Sequence, residues 1–278
     1  MTKDSYDLII VGGGMVGASL AIALADRGLR MALIEAHAPG ADSQPSYDDR
    51  GIALAYRTRR IVDAIGVWSA LEMMVEPILD IHVSDRGHFG FTGLSASEEG
   101  VPALGYVASA RVLGNTLIQE LEELPGVQLL APARLHDFQV PGGKVEAERE
   151  VDGRAVTHHT RLLVAADGAH SSVRERLGIA TRQWDYGQTA VIANVTPERE
   201  HQNVAYERFT DTGPMALLPM QGNHCALVWT VRSQQAEEIL ALSDTEFLAR
   251  LQQRFGNRLG RCHILLHQQR RFRKRAIK

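Results

Sequence analysis

Apolar positions change their spacing twice in the first 35 residues. Residues 8–11 form a short unbroken apolar run, 15–25 carry small and apolar residues at helical spacing, and 31–34 are apolar again. A short continuous run suits a strand buried on both faces, and the alanines (Ala18, Ala21, Ala23, Ala25) favour a helix between two such strands. Helical spacing returns from about Tyr56 to Ile65 and over 109–124, where Ser109 is a suitable N-cap. Residues 78–94 read as two strands around an Asp85–Arg86–Gly87 turn, and 127–130 as one short strand. Alternation from Ala133 to His159, broken by Pro141–Gly142–Gly143, predicts a three-stranded antiparallel excursion. An apolar strand then runs to Asp167, followed by a helix from Ser171 or Ser172. Beyond Gln183 four apolar runs, 188–195, 203–210, 213–220 and 225–231, predict strands, and 234–255 a polar helix.

That order predicts an α/β fold with two interleaved units. Residues 1–75 and 100–181 are expected to form a nucleotide-type domain, 76–99 and 182–260 a sheet-rich second domain, and 261–278 a basic tail. Composition adds limits. With 278 residues, 45% hydrophobic and 23% charged, the chain can bury a substantial core. A net charge of −3 gives no nucleic-acid signal. Cys225 and Cys262 stand far apart, outside metal-ligand spacing, and suggest a reducing compartment without a disulfide framework. No run of 18 uninterrupted apolar residues occurs, so no signal peptide or membrane span is expected and a cytoplasmic location is the default.

The chemistry concentrates at the turn between the first strand and helix. Gly12, Gly14 and Gly17 stand in GxGxxG spacing, with Glu35 about 20 residues further on at the end of the second strand. Gly12 allows the tight turn, Gly14 lets backbone N–H groups approach a pyrophosphate, and Gly17 lets the helix pack closely. The diphosphate would lie at the positive helix N-terminus. Glu35 can accept both hydroxyls of an adenosine ribose, and an acid there disfavours a 2′-phosphate, so FAD or NAD is expected over NADP. Gly13, Met15, Val16 and Ala36 complete this candidate set. Asp167–Gly168 marks a second strand end, where open α/β sheets place ligands. Its carboxylate can take a ribitol or ribose hydroxyl, and its glycine lets backbone pass close to a cofactor.

These segments, GGGMVGASLAIAL with its acid, DDRGIAL and VAADGAHSSVR, resemble the FAD-dependent aromatic hydroxylases of the para-hydroxybenzoate hydroxylase type. HVSDRGHFGF, AVIANV, ERFT, GPMALLPM and FGNRLG are similar to the branch acting on polyprenylated phenols in ubiquinone biosynthesis. The resemblance covers about residues 5–260. It implies a Rossmann-like FAD-binding domain (GR2-type) interleaved with a sheet-rich substrate domain. It implies that Gly12, Gly14, Gly17 and Glu35 hold the ADP part of FAD, that Arg50 lies against its phosphate and ribose, and that Asp167 and Gly168 serve both FAD and the reduced nicotinamide. Arg111, at the start of the 109–124 helix, is a further candidate for the FAD phosphates, and Pro219 and Met220 for the wall of a substrate cavity.

The implied reaction uses NADPH or NADH and O2 to hydroxylate a polyprenyl phenol. The flavin carries the chemistry, so no catalytic side chain is assigned. A ubiquinone-biosynthesis enzyme complex, peripheral contact with the inner membrane and no nucleic acid are the expected partners. A reductase-type FAD oxidoreductase and a non-catalytic FAD-binding remnant are the competing readings. The chain departs from the family near its end. The family's Gly-Asp or Gly-Asn motif with His and Pro, which meets the flavin ring, is not reached, and weak FAD retention follows as an expectation. Arg270, Arg271, Arg273, Lys274, Arg275 and Lys278 form a basic cluster instead. Each such cation near an anionic lipid surface would contribute about 1 kcal/mol.

Overall fold

The computed structural model describes residues 4–39, 48–151, 154–264 and 270–277. In chain order the first elements are β1 (Ser5–Val11), α1 (Met15–Leu24), β2 (Met31–Ile34), β3 (Gly51–Ala55), α2 (Tyr56–Ala64) and α3 (Trp68–Leu71). They are followed by β4 (Glu76–Ile78), β5 (Asp80–Asp85), β6 (Phe91–Ser95), β7 (Gly105–Ser109), α4 (Ala110–Glu122), β8 (Val127–Leu130), β9 (Leu135–Gln139), β10 (Val145–Val151) and β11 (Arg154–Ala165). The remainder comprises α5 (Ser172–Arg176), β12 (Gln183–Pro197), β13 (Val204–Thr210), β14 (Gly213–Met220), β15 (His224–Arg232), α6 (Ala236–Leu240), α7 (Asp244–Phe255), β16 (Cys262–Ile264) and β17 (Arg270–Ile277). Among the described residues no helix is long and apolar enough to cross a membrane.

The chain divides into two compact units, the first holding Met1–Asp48, Asp63–Leu71 and Arg111–Ala180, the second Asp49–Val62, Glu72–Ala110 and Thr181–Lys278. Residues 49–62, 72–75, 100–110 and 181, expected in the nucleotide domain, thus group with the second unit. The reason is pairing: β3 and β4 both pair with β7, and Val107 of β7 packs with Ile78 and Ala205.

The first unit is built on a six-stranded sheet in the order β8-β2-β1-β11-β10-β9. β8, β2, β1 and β11 are parallel, and β10 and β9 are antiparallel additions. Ile9, Ile10 and all of β2 are buried, the condition a central parallel strand imposes. Ala18 and Ala21 of α1 are fully buried, their small side chains letting the helix lie close. β11 serves two ladders: Thr160 faces Val145 of β10 and Tyr6 of β1. The excursion's third strand and the strand leading to Asp167 are therefore one element.

In the second unit an eight-stranded sheet runs β16-β12-β15-β14-β13-β5-β6, with β17 also pairing β12. The backbone of the basic segment 270–277 is thus a strand antiparallel to β12, and Lys278 lies outside the described residues. Alternation sorts the sheet's side chains: Val191, Leu217, Leu227 and Trp229 join Phe247 and Leu251 of α7 in one core. The polar helix expected over 234–255 is two helices broken at 241–243. Ser243 starts α7 with a capping box, accepting from Glu246 N while Glu246 Oε2 accepts from Ser243 N at 3.0 Å. The Ser-x-x-Glu spacing that starts a helix here lay inside the expected one.

Candidate functional site

β1 and β11 run parallel with Val11 opposite Ala165, so their two C-terminal turns emerge side by side. Gly12 N donates to Ile34 O at 2.8 Å and Ala166 N to Val11 O at 2.7 Å, fixing both turns to the sheet. A cleft of about 440 Å³ opens there, at the C-terminal ends of parallel strands. Six of the expected site residues line it: Gly12, Gly14, Glu35, Ala36, Asp167 and Gly168.

The glycines have distinct jobs. Gly12 has φ of +103°, and a Cβ there would lie 2.4 Å from Ala166 O. A Cβ on Gly17 would lie 1.9 Å from Gly12 O, so the close packing it permits is against the turn itself. Gly13 leaves room for Glu35, whose Cβ would be 2.9 Å from one built on it. At Gly14 φ is −65° and a Cβ would meet nothing within 4 Å. The absent side chain at Gly14 leaves open space at the first turn of α1. No side chain caps that helix, and its first N–H groups have no partners within the helix. Of the other first-turn candidates, Met15 and Val16 are not among the cleft residues, and Val16 is 74% exposed.

Glu35 is 8% exposed and already engaged: Oε2 accepts from Gly13 N at 2.7 Å and Oε1 from His37 N at 2.9 Å. These bonds hold the carboxylate in place, and its remaining lone pairs can accept from a ribose diol. Asp167 Oδ2 accepts from Ser172 N at 2.8 Å, tying the turn to α5, and Oδ1 has no hydrogen-bond partner among the described residues. An uncapped helix start, open space beside it and two fixed carboxylates suit an anionic nucleotide with its sugar hydroxyls. His37, Arg134 and His170 line the same cleft and were missed. His37 and His170 stand two and three residues past Glu35 and Asp167, within segments already singled out, whereas no motif surrounds Arg134.

Two remaining candidates take different positions. Arg111 sits in the first turn of α4, its N–H donating to Asp48 O at 2.9 Å. Arg50 belongs to the second unit, immediately before β3, and its carbonyl accepts from Ala110 N at 3.0 Å. Pro219 and Met220 close β14. They are neighbours on β14 and so point to opposite faces of the sheet. Pro219 is buried, and Met220 packs with the Ile78–Val107–Ala205 cluster. Burial pushes the Cys225 thiol up to about 12 and raises that of Cys262, which disfavours the thiolate at both.

Residues 5–277 match a family model described as FAD binding domain. The chain is 42% identical over 254 residues to the ubiquinone hydroxylase UbiL of Rhodospirillum rubrum, covering 91% of this chain and 58% of that protein. It is 33% identical over 272 residues to the 3-demethoxyubiquinol 3-hydroxylase of Escherichia coli, covering 94% of this chain and 66% of that protein. The chain thus spans roughly three fifths of the length of these relatives. Among solved structures, p-nitrophenol 4-monooxygenase PnpA from Pseudomonas putida has a TM-score of 0.75 at 16% identity, over 99% of this chain and 70% of that one. The flavin-dependent monooxygenase PieE, in complex with FAD and substrate, has a TM-score of 0.74 at 17% identity, over 100% and 51%. At these identities the structural likeness speaks for the fold, and the family match carries the assignment: the chain belongs to the FAD binding domain family.

Proposed function

We propose that this chain supplies the nucleotide-holding part of an FAD-dependent monooxygenase that hydroxylates a polyprenylated phenol in ubiquinone biosynthesis. The overall reaction takes one phenol, O2, NADPH or NADH and a proton to the hydroxylated phenol, water and the oxidised nicotinamide. The carrying observation is the cleft, where the open side of Gly14, the uncapped start of α1, Glu35 and Asp167 converge. The names of the relatives support the substrate class. FAD, when bound, supplies the redox and oxygen chemistry. The residues bind and orient it: the first N–H groups of α1 take the diphosphate, Glu35 the adenosine ribose, and Asp167 Oδ1 a further hydroxyl. Arg50 and Arg111 are assigned as cations for the phosphates on the family likeness of their segments. A prenylated phenol partitions into lipid, so supply at a membrane surface or from a partner enzyme belongs to the same reading.

Calorimetric titration with ADP tests the nucleotide assignment directly. Gly14→Ala puts a methyl into space the protein leaves empty, at a φ that alanine adopts. The melting temperature is expected to hold, while ADP and FAD affinity fall by about tenfold or more, because the phosphates lose close approach to the helix start. Unchanged affinity in a folded Gly14→Ala protein would sink the assignment.

A further inference from the structure

In the second unit the three-stranded sheet β3-β7-β4 lies on the face of the large sheet opposite α6 and α7. Val191, Ala193 and Val195 of β12, and Cys225, Leu227 and Trp229 of β15, fill the helix side. Asn194 and Ala226, between them in sequence, therefore point the other way. They are paired directly across β12 and β15, and Leu218 of β14 is the next residue in the same row. This row meets the start of β3 at two points. Asn194 Nδ2 donates to Asp49 O at 2.9 Å, and a Cβ built on Gly51 would fall 2.4 Å from Ala226 Cβ. Arg50 is the one residue between those points. Its own carbonyl is a third anchor, accepting from Ala110 N.

We propose that Asn194 and Ala226 are positioning residues for Arg50: one grips the backbone before it, the other seats the backbone after it. The physical argument is selective contact. Ala226 is 1% exposed and has the smallest side chain that still closes the gap, and Gly51 is the residue without a Cβ that can sit on it. Asn194 spends its amide on a main-chain oxygen rather than on another side chain, so it fixes where the chain runs. Both contacts join residues more than 140 positions apart. An arginine on a backbone pinned at three points gives up little freedom when it pairs with an anion, which is how preorganisation raises affinity. The functional half of the proposal rests on Arg50 contacting the nucleotide phosphates, as assigned above.

The full-length chain can be tested with two readouts. Trypsin cleaves after Arg50, so the rate at the Arg50–Gly51 bond reports the seam without any ligand, and ADP titration reports the nucleotide. Ala226→Val, Gly51→Ala and Asn194→Leu are each expected to speed cleavage at that bond by about fivefold or more through local opening. They should also weaken ADP by about tenfold, the order expected for a charge-assisted contact. Gly51→Ala with Ala226→Gly should return both readouts toward the parent, because the collision is between those two side chains. In an Arg50→Ala background, Ala226→Val should weaken ADP by less than about twofold more, because the two changes act on one interaction. Parent-like cleavage in both Ala226→Val and Asn194→Leu, or a fully additive loss of ADP affinity, would overturn the proposal. If Arg50→Ala binds ADP as tightly as the parent while Gly14→Ala does not, the assignment of Arg50 to the nucleotide falls, and the cleavage rates alone decide the positioning.

Discussion

The nucleotide turn of the first unit and the β3 seam of the second use the same device, a glycine where a Cβ would collide, yet they differ in what it collides with. At Gly17 the obstacle is the carbonyl oxygen of Gly12, five positions back and part of the main chain. At Gly51 it is the methyl of Ala226, a side chain from a strand far along the sequence. A collision with nearby main chain shows as a fixed spacing of glycines, and no change of side chain elsewhere can relieve it. A collision with a distant side chain leaves no local trace, and a second substitution can cure it. Local spacing advertises the first kind of site and hides the second.

The largest expected effect breaks or upholds that comparison. Gly17→Ala forces a methyl against Gly12 O at 1.9 Å, so either α1 or the turn must move. Overpacking against fixed backbone should cost about 3 kcal/mol or more. Urea unfolding would measure it. A second-site substitution at Ala166, whose Cβ would be 3.2 Å away, should recover only a small part, because the carbonyl remains. Gly51→Ala, by contrast, should be largely restored by Ala226→Gly. Full rescue of Gly17→Ala through Ala166→Gly would erase the distinction.

The same distinction explains what the sequence made legible. β1, α1 and β2, Glu35 and the Asp167 turn were readable because each is a local pattern: an apolar run, a glycine spacing, an acid at a strand end. The family segments extended that reading to FAD. The grouping of 49–62 and 100–110 with the second unit was not readable, since it depends on β3 pairing with β7 and on Val107 meeting Ile78 and Ala205. Pro219 and Met220 illustrate a simpler point. They were taken together as one apolar stretch, whereas a strand sends consecutive residues to opposite faces. Arg134 reaches the cleft through the fold alone, whereas His37 and His170 adjoin Glu35 and Asp167, which were readable.

Local features are not confined to the first unit, and α7 carries one in the second. Its Ser243 and Glu246 form a reciprocal cap written in four consecutive residues of the second unit. The hydrogen bonds from Ser243 hold the Glu246 carboxyl below the usual range. Ser243→Ala should destabilise the protein by about 1 kcal/mol, and Ser243→Asp should retain most of the parent's stability, since aspartate caps equally well. Urea midpoints of the three proteins decide it. An alanine variant as stable as the parent would mean that Phe247 and Leu251 in the core hold α7 without its cap.

The smallest effect concerns a non-local site in the first unit. His158 on β11 is 2% exposed, its Nε2 accepts from Arg149 Nε at 2.8 Å, and its Nδ1 stands 3.6 Å from Asp4 Oδ1. A ring that accepts from an arginine must keep Nε2 unprotonated, so the neutral form with Nδ1–H is the one that fits. Burial first, then the Arg149 charge and more weakly His159, lower its pKa, while Asp4 opposes them. The folded protein therefore binds this proton less readily than the unfolded chain, whose histidine titrates near 6.5. Stability from this residue is complete above that value and declines as pH falls from 6.5 toward the lowered folded value, levelling off beneath it. Between pH 7.5 and 5.5 the parent should lose more stability than His158→Gln, whose amide oxygen can still accept from Arg149 without titrating. His82, also lowered by burial, is common to both proteins and cancels in the difference. Equal slopes in parent and variant would mean that Asp4 closes on Nδ1 and pairs with the protonated ring, turning a buried neutral histidine into half of an ion pair.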